Sequence, residues 1–316
     1  MKRIPVWLTS VPLVIGGLVY WQFWSGWRDT LRADLAVVLP AKTVTIGGFP
    51  YRLEADVASP RYALGGSIHL TVDAVQAKAN RNPWQRDLTI VRTDTPAVVI
   101  SVDGLVGATV RATAATGVTS VRVTPGGIAR LSTVLNDMNA TTGVFAAPVA
   151  AKTFEVHLRE TRARSNEAWS ATPPQQAQVV LSGTGVRFGS GAPLTFALDA
   201  GVTATARLRD FAGWAAGGTV EIHDATLADA TGEVARLTAS VVPVGGTLRL
   251  TGTLTTVCPA TLAAAVDGAV APRELRLRTA VRLALNGTPG FFVLAPVPDG
   301  APPATRGQAP PCPRLR

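Results

Sequence analysis

Three histidines are the side chains in this sequence best suited to bind a metal or act as a general base. His69, His157 and His223 lie far apart, and no HExxH sequence or pair of CxxC sequences accompanies them. His223 and Asp224 resemble half of a catalytic pair, but adjacent residues of a strand point to opposite faces of a sheet. The histidines are interpreted as structural or surface residues, and the sequence predicts no metal and no cofactor.

Glycines in the segment GTGVRFGSG have the composition of a phosphate-binding loop but not its spacing. Gly183, Gly185, Gly189 and Gly191 do not match GxGxxG, and no helix is predicted to follow them. They are interpreted as turn residues. No GxSxG sequence marks a nucleophilic serine. The sequence therefore favours a protein that is not an enzyme.

One catalytic class leaves no sequence pattern and stays open as an alternative. Two carboxylates about 5 to 10 Å apart suffice to hydrolyse a glycoside, although the chain has only 21 acidic residues. Trp84, Trp169 and Trp214 could stack on a sugar, but a single Trp in a large β domain more often packs in the core or at its rim. The alternative is an anchored hydrolase that acts on envelope glycan or peptide in a concave site.

The composition favours strands and argues against nucleic acid as a partner. The chain contains 30 Gly and 23 Pro with abundant Thr and Val, as expected of strands joined by tight turns. Its net charge of +9 comes mainly from arginines that occur singly rather than in runs. Dispersed arginines of this kind keep a surface soluble, so we predict no nucleic-acid binding.

The N-terminal segment is long and uncharged. No charged residue occurs from Ile4 through Trp27, and a helix needs roughly 20 apolar residues to cross a bilayer. The run ends in aromatic residues, whereas a cleaved signal peptide, the alternative, ends in small ones. Lys2 and Arg3 precede it and favour a cytoplasmic N-terminus. The predicted membrane-interface residues are Tyr20, Trp21, Trp24 and Trp27.

These features predict the domain organisation. Residues 1–28 are expected to form a transmembrane signal anchor in the bacterial inner membrane, with the C-terminal domain in the periplasm. Residues 29–40 form a stalk and residues 41–294 a β-rich envelope domain, with two halves divided near 165–176. Residues 295–316 are rich in proline and are expected to be disordered.

Within the domain, apolar residues alternate with polar ones over most segments. This period of two predicts a mainly β fold, with one or more large curved antiparallel sheets and one or two short helices. Ile128, Leu131, Leu135 and Met138 instead have helical spacing, which predicts a helix of three to four turns ending near Gly143. Further short helices are predicted over residues 210–218 and 258–270, and a long final strand is predicted over residues 273–289.

Cys258 and Cys312 are the only cysteines. Two thiols in an oxidising compartment can form a disulfide, which would attach the tail to the domain. The alternative is that they stay unpaired, because Cys312 lies in the Pro-rich tail.

Three stretches resemble a bacterial family of unknown function whose members have an N-terminal membrane anchor and a GFP-[FY]-R sequence. They are Gly47–Pro60 (GGFPYRLEADVASP), Val75–Ile90 (VQAKANRNPWQRDLTI) and Trp214–Leu254. The sequence NRNPW stands where the family has a Trp-Asn-Pro order. The resemblance supplies no catalytic residue. It also implies a distant similarity to AsmA-type envelope proteins, whose curved sheets are associated with lipid handling.

The hypothesis that combines these observations is a non-catalytic envelope protein, anchored in the inner membrane, that binds or shuttles lipid along a curved β-sheet. Its expected partners are the inner membrane and either a lipid or an envelope protein. A structural assembly scaffold is a further alternative. Five residues are predicted to form a structural corner or the mouth of a groove: Gly47, Gly48, Phe49, Pro50 and Arg52.

Overall fold

The computed structural model describes residues 6–38, 43–66, 68–103, 109–124, 127–143, 147–160, 175–203, 218–297 and 309–316. It confirms the mainly β prediction, with eighteen strands in one antiparallel sheet. The helices are α1 (Val6–Val38) and α2 (Pro259–Asp267). The strands are β1 (Thr43–Gly47), β2 (Leu53–Ala58), β3 (Arg61–Leu64), β4 (Ile68–Asp73), β5 (Gln76–Asn82), β6 (Gln85–Asp94), β7 (Ala97–Val102), β8 (Thr109–Thr113), β9 (Thr116–Thr124), β10 (Gly127–Thr142), β11 (Val149–Glu160), β12 (Gln175–Phe188), β13 (Leu194–Thr203), β14 (Thr219–Asp229), β15 (Gly232–Val244), β16 (Thr247–Thr256), β17 (Val281–Thr288) and β18 (Phe291–Pro296).

The sheet is an up-and-down meander with one crease. From β10 to β18 each strand pairs with the next along the chain. Before β10, four long strands are bent into the segments β2–β3, β4–β5, β6–β7 and β8–β9. Strand β10 therefore pairs with β9 over its first part and with β8 over its last part.

Left-handed residues produce this crease without breaking the hydrogen-bond ladder. Ser59, Thr95 and Asp137 have φ values of 48°, 50° and 52°, which place an irregular residue in an extended strand. The Ser59 amide still donates to the Val75 carbonyl and the Thr95 amide to the Ala115 carbonyl, each at 2.9 Å. The sheet thus bends while its backbone groups stay paired.

The predicted helix over residues 128–143 is wrong, because this segment is strand β10, which lies between β9 and β11. Its apparent helical spacing comes from the irregular residue Asp137. Leu131 and Leu135 share a face of the strand, and the left-handed conformation of Asp137 puts Met138 in the same core cluster that Leu135 joins, although the pairing with β11 keeps its register. A left-handed residue in a strand therefore imitates the apolar pattern of a helix.

Of the remaining secondary-structure predictions, one helix is confirmed and one strand is predicted too long. Helix α2 confirms the predicted helix over 258–270. The predicted strand over 273–289 is too long, because regular pairing starts only at Val281 and the chain turns at Gly290. The predicted helix at 210–218 and the predicted division near 165–176 fall almost wholly outside the described residues.

Helix α1 confirms the predicted N-terminal helix and continues without a break through residues 29–38 of the predicted stalk. Within the described residues, no helix has both the length and the apolar character needed to cross a membrane.

Residues 309–316 are ordered, contrary to the disorder predicted for the tail over 295–316, of which residues 298–308 lie outside the described part of the chain. Residues 309–316 pack against the sheet, and Cys312 forms a disulfide with Cys258. Leu315 is buried among Leu194 and other core leucines, and the Ala192 amide donates to the Arg314 carbonyl at 2.6 Å. The disulfide and this apolar contact order a segment whose composition alone suggests disorder.

Loss of the disulfide should weaken the whole C-terminal part of the fold. We expect Cys312→Ser to lower the free energy of unfolding by about 2–4 kcal/mol, because the broken bond frees a loop in the unfolded chain. Urea unfolding of the unreduced protein measures this loss. Reduced wild-type protein should match the variant, and equal stability of the oxidised and reduced forms would contradict the prediction.

A buried ion pair fixes the turn between β14 and β15. Arg276 is 5% exposed, and its Nη2 lies 2.5 Å from Oδ2 of Asp229. The same guanidinium donates to the Glu233 carbonyl at 3.2 Å. Burial raises the pKa of Asp229, but hydrogen bonds from Thr231 and the charge of Arg276 outweigh it, and the net pKa is lowered.

The lowered pKa of Asp229 gives this pair a defined pH dependence. Its contribution is complete above the ordinary carboxyl pKa of 3.8 and is lost as the pH falls through the lower pKa of the folded protein. Asp229→Asn should cost on the order of 3 kcal/mol at pH 7, because Arg276 stays buried without its partner. Unfolding measured from pH 7 down to pH 2 should show this difference shrinking, and a constant difference would refute the assignment.

Candidate functional site

Helix α1 meets the β1–β2 hairpin and the turn between β5 and β6 through five aromatic side chains, which we term the aromatic junction: Tyr20, Trp24, Trp27, Phe49 and Trp84. The ring of Trp84 lies 5.7 Å from that of Tyr20 and 5.4 Å from that of Trp27. The ring of Phe49 lies 5.4 Å from that of Trp24 in an edge-to-face arrangement. Such pairs add stability beyond the area they bury.

Two side-chain hydrogen bonds fix the helix to the hairpin backbone. The indole Nε1 of Trp24 donates to the Arg52 carbonyl at 3.2 Å, and the Tyr20 hydroxyl donates to the Pro50 carbonyl. Gly48 has a φ of 94°, and a Cβ there would lie 2.6 Å from the Arg52 carbonyl oxygen. The hairpin therefore requires glycine at this position.

Below the aromatic junction the helix packs closely on the sheet. Trp24 and Leu31 are 5% and 1% exposed, and they form a core cluster with Leu53, Ala55 and Ala79. The alanines let the helix backbone approach the strands. An ion pair at 3.4 Å joins Asp34 of the helix to Arg81 of β5.

The structure thus brings together two groups of residues that the sequence identified separately. Three of the four predicted interface aromatics contact the predicted corner or Trp84, while Trp21 points outward and is half exposed. Gly47 ends β1, and Arg52 accepts the indole hydrogen bond. No local sequence pattern identifies Trp84 as the partner of Tyr20, because the two lie far apart along the chain.

Exposed apolar side chains surround the aromatic junction. Tyr51 and Trp84 of the β domain are 84% and 70% exposed, and Phe49 is half exposed. Between Val11 and Val19, helix α1 also exposes large apolar side chains. These are Val11, Leu13, Val14, Ile15, Leu18 and Val19. One end of the sheet and the helix that leads from it therefore present a shared apolar surface.

A second apolar surface, the apolar track, crosses the sheet on the face that α1 covers at β2. The cross-strand register of β10 to β13 places its side chains opposite one another, for example Thr133 with Val156, Val156 with Leu181, and Leu181 with Leu198. All four are half-buried. The remaining members are Leu131, Leu135, Phe154, Leu158, Val179 and Phe196.

The track lies between two covered regions of the same face. Thr133 faces Thr119, which faces Val91, and Val91 packs against the α1 cluster. On the other side, Leu254 belongs to the cluster that contains Leu262 of α2 and Leu315 of the tail. The helices thus cover the ends of this face more than its centre.

The three histidines lie on separate strands, where His69 contacts Asp103 at 2.9 Å and His157 contacts Glu155 at 3.2 Å. The Asp224 carboxylate accepts a hydrogen bond from the Arg236 guanidinium at 2.8 Å. The hydrogen bond from Arg236 to Glu233, together with the charge of Asp224, raises the pKa of Arg236. His223 is exposed. Among the described residues, no group of His, Cys, Asp and Glu could hold a metal ion.

Two of the glycines interpreted as turn residues lie instead within a strand. Gly183 and Gly185 lie within β12 rather than in a turn, whereas Gly189 follows that strand. Trp169 and Trp214 lie outside the described residues.

Comparison with known protein families identifies the family to which the chain belongs. A family model described as "Uncharacterized protein conserved in bacteria (DUF2125)" matches residues 25–291. The chain belongs to this family. The match confirms the family resemblance, while the GFP-[FY]-R motif and the likeness to AsmA-type proteins stay predictions. No curated protein and no solved structure matches the chain significantly.

The aromatic junction should hold the helix against the sheet. We expect Trp24→Ala to cost about 3–5 kcal/mol locally, because a buried indole and its hydrogen bond are lost. Hydrogen exchange of the amides in residues 29–38, measured on the full-length protein in detergent, should become more than tenfold faster. Phe23→Ala is the control, because Phe23 is 59% exposed, and equal effects of both variants would contradict the assignment.

Proposed function

We propose that this protein is a non-catalytic envelope protein, anchored in the bacterial inner membrane through the N-terminal part of α1, that binds lipid along the apolar track of its periplasmic sheet. The observation that carries the proposal is the half-buried apolar track on β10–β13, which lies between two covered regions of one face.

The anchor rests on the sequence and on exposure together. The run from Ile4 through Trp27 contains no charge, and the described first half of α1 exposes its large apolar side chains. Tyr51 and Trp84 are exposed beside the base of this segment. Tyr and Trp favour the bilayer interface, so the end of the sheet that carries them suits a position at the headgroup layer.

Lipid binding rests on the form of the track. An acyl chain is recognised by apolar area rather than by directed polar groups, and the track offers such area on four neighbouring strands. Its side chains are half-buried rather than sealed in a core. This surface can therefore accept an acyl chain without a change in the strand pairing.

Native mass spectrometry of the full-length protein, extracted gently from membranes, tests both parts of the proposal. Retention of residues 1–28 should appear in the intact mass, and bound phospholipid should appear as defined adducts. Val156→Asp should lower lipid occupancy at least tenfold, because a carboxylate on the track must lose its hydration when an acyl chain binds.

Val118→Asp is the matched control, because Val118 lies on the opposite face of the sheet and is partly exposed. Loss of residues 1–28 would overturn the anchor. Wild-type protein without lipid, or equal lipid loss in both variants, would overturn the lipid site.

A further inference from the structure

Three arginines lie side by side on adjacent strands. Arg122 of β9 is directly opposite Arg130 of β10, which is directly opposite Arg159 of β11. Directly opposite residues have Cβ atoms about 4.5–5.5 Å apart, and like charges in such positions repel. This arginine row therefore needs a source of negative charge.

The described protein groups supply only part of that charge. Arg122 pairs with Asp87 at 3.2 Å. None of the ion pairs between described residues involves Arg130 or Arg159, and both side chains are exposed. Two guanidinium groups of the row are thus available to a ligand.

The arginine row borders a cavity of about 490 Å³, which is also lined by His157 and Gln178. His157 is directly opposite Ser132. Nδ1 of His157 and Oγ of Ser132 are buried and have no hydrogen-bond partner in the described structure. These two atoms are enclosed by the protein, and Nε2 of His157 already contacts Glu155 at 3.2 Å. What the cavity offers a ligand is therefore the positive charge of its arginines.

The row occupies the face opposite the apolar track. Arg130 and Leu131 are consecutive residues of β10 and point to opposite faces, as do Leu158 and Arg159 of β11. The row also lies near the aromatic junction along the sheet. Leu88, which pairs with Arg122, follows the turn that contains Trp84.

We propose that Arg122, Arg130 and Arg159 form a binding site for a phosphate group, either in an anionic lipid headgroup or as free phosphate. Guanidinium groups bind phosphate oxygens through paired charge-assisted hydrogen bonds, and a bound phosphate removes the repulsion within the row. The site does not rest on lipid binding at the apolar track, because the two surfaces are on opposite faces.

The test uses the full-length protein in dodecyl maltoside, a detergent without phosphorus, and follows ligands by ³¹P NMR. The probes are inorganic phosphate, short-chain phosphatidylglycerol and short-chain phosphatidylcholine. We expect saturable binding of phosphate or phosphatidylglycerol, weakened at least tenfold in the double variant Arg130→Gln/Arg159→Gln. Arg187→Gln is the control, because Arg187 is exposed near the opposite end of β12, and its affinity should stay within twofold of wild type.

Preference among the probes identifies the source of the phosphate. Binding of phosphatidylglycerol without inorganic phosphate supports a headgroup site, and binding of inorganic phosphate supports a site for the free ion. The bound probe should raise the Tm of the wild type and not that of the double variant, whose own Tm should equal or exceed that of wild type because the repulsion is gone. Absence of binding by all probes, or equal binding by wild type and the double variant, would overturn the proposal.

Discussion

The structure depends on how a single sheet covers its apolar face. The substantial contacts of each strand among the described residues are with its neighbours in the sheet and, at the ends, with a helix. A sheet with one apolar face must pack that face against something or leave it to a ligand. Helix α1 covers β2 and β5 at one end, and α2 with the disulfide-linked tail covers β13 to β17 at the other.

The crease matters as well, because a sheet of this size must bend or twist before its apolar face can surround a helix or a ligand. Left-handed residues at Ser59, Thr95 and Asp137 bend it while the ladder of backbone hydrogen bonds continues. At Asp137 the bend brings Leu135 and Met138 into one core cluster, so the apolar pattern changes phase there. Curvature and surface chemistry are therefore set by the same few residues.

Much of the sheet could be predicted from the sequence, because local alternation specifies a strand whatever its partner. The segment around Asp137 could not, since a strand with one left-handed residue and an amphipathic helix both place Leu135 and Met138 on one side. The contacts within the aromatic junction could not be predicted from the sequence either. Tyr20 and Trp24 were identified as interface residues, but their contacts with Phe49 and Trp84 depend on long-range packing that no local pattern records. The order of the tail depends on a disulfide and on one buried leucine, which composition cannot reveal.

A single-layer sheet also separates two kinds of chemistry that one pocket could not hold together. Consecutive residues of β10 and β11 point to opposite faces, so an apolar surface and a row of arginines share the same strands. The arginines retain their hydration or bind an anion on one side, while the leucines and valines on the other exclude charge. The pairing between these strands sets the spacing of the side chains on both faces of the sheet. The alternation of side chains in the strands therefore sets both the apolar track and the arginine row.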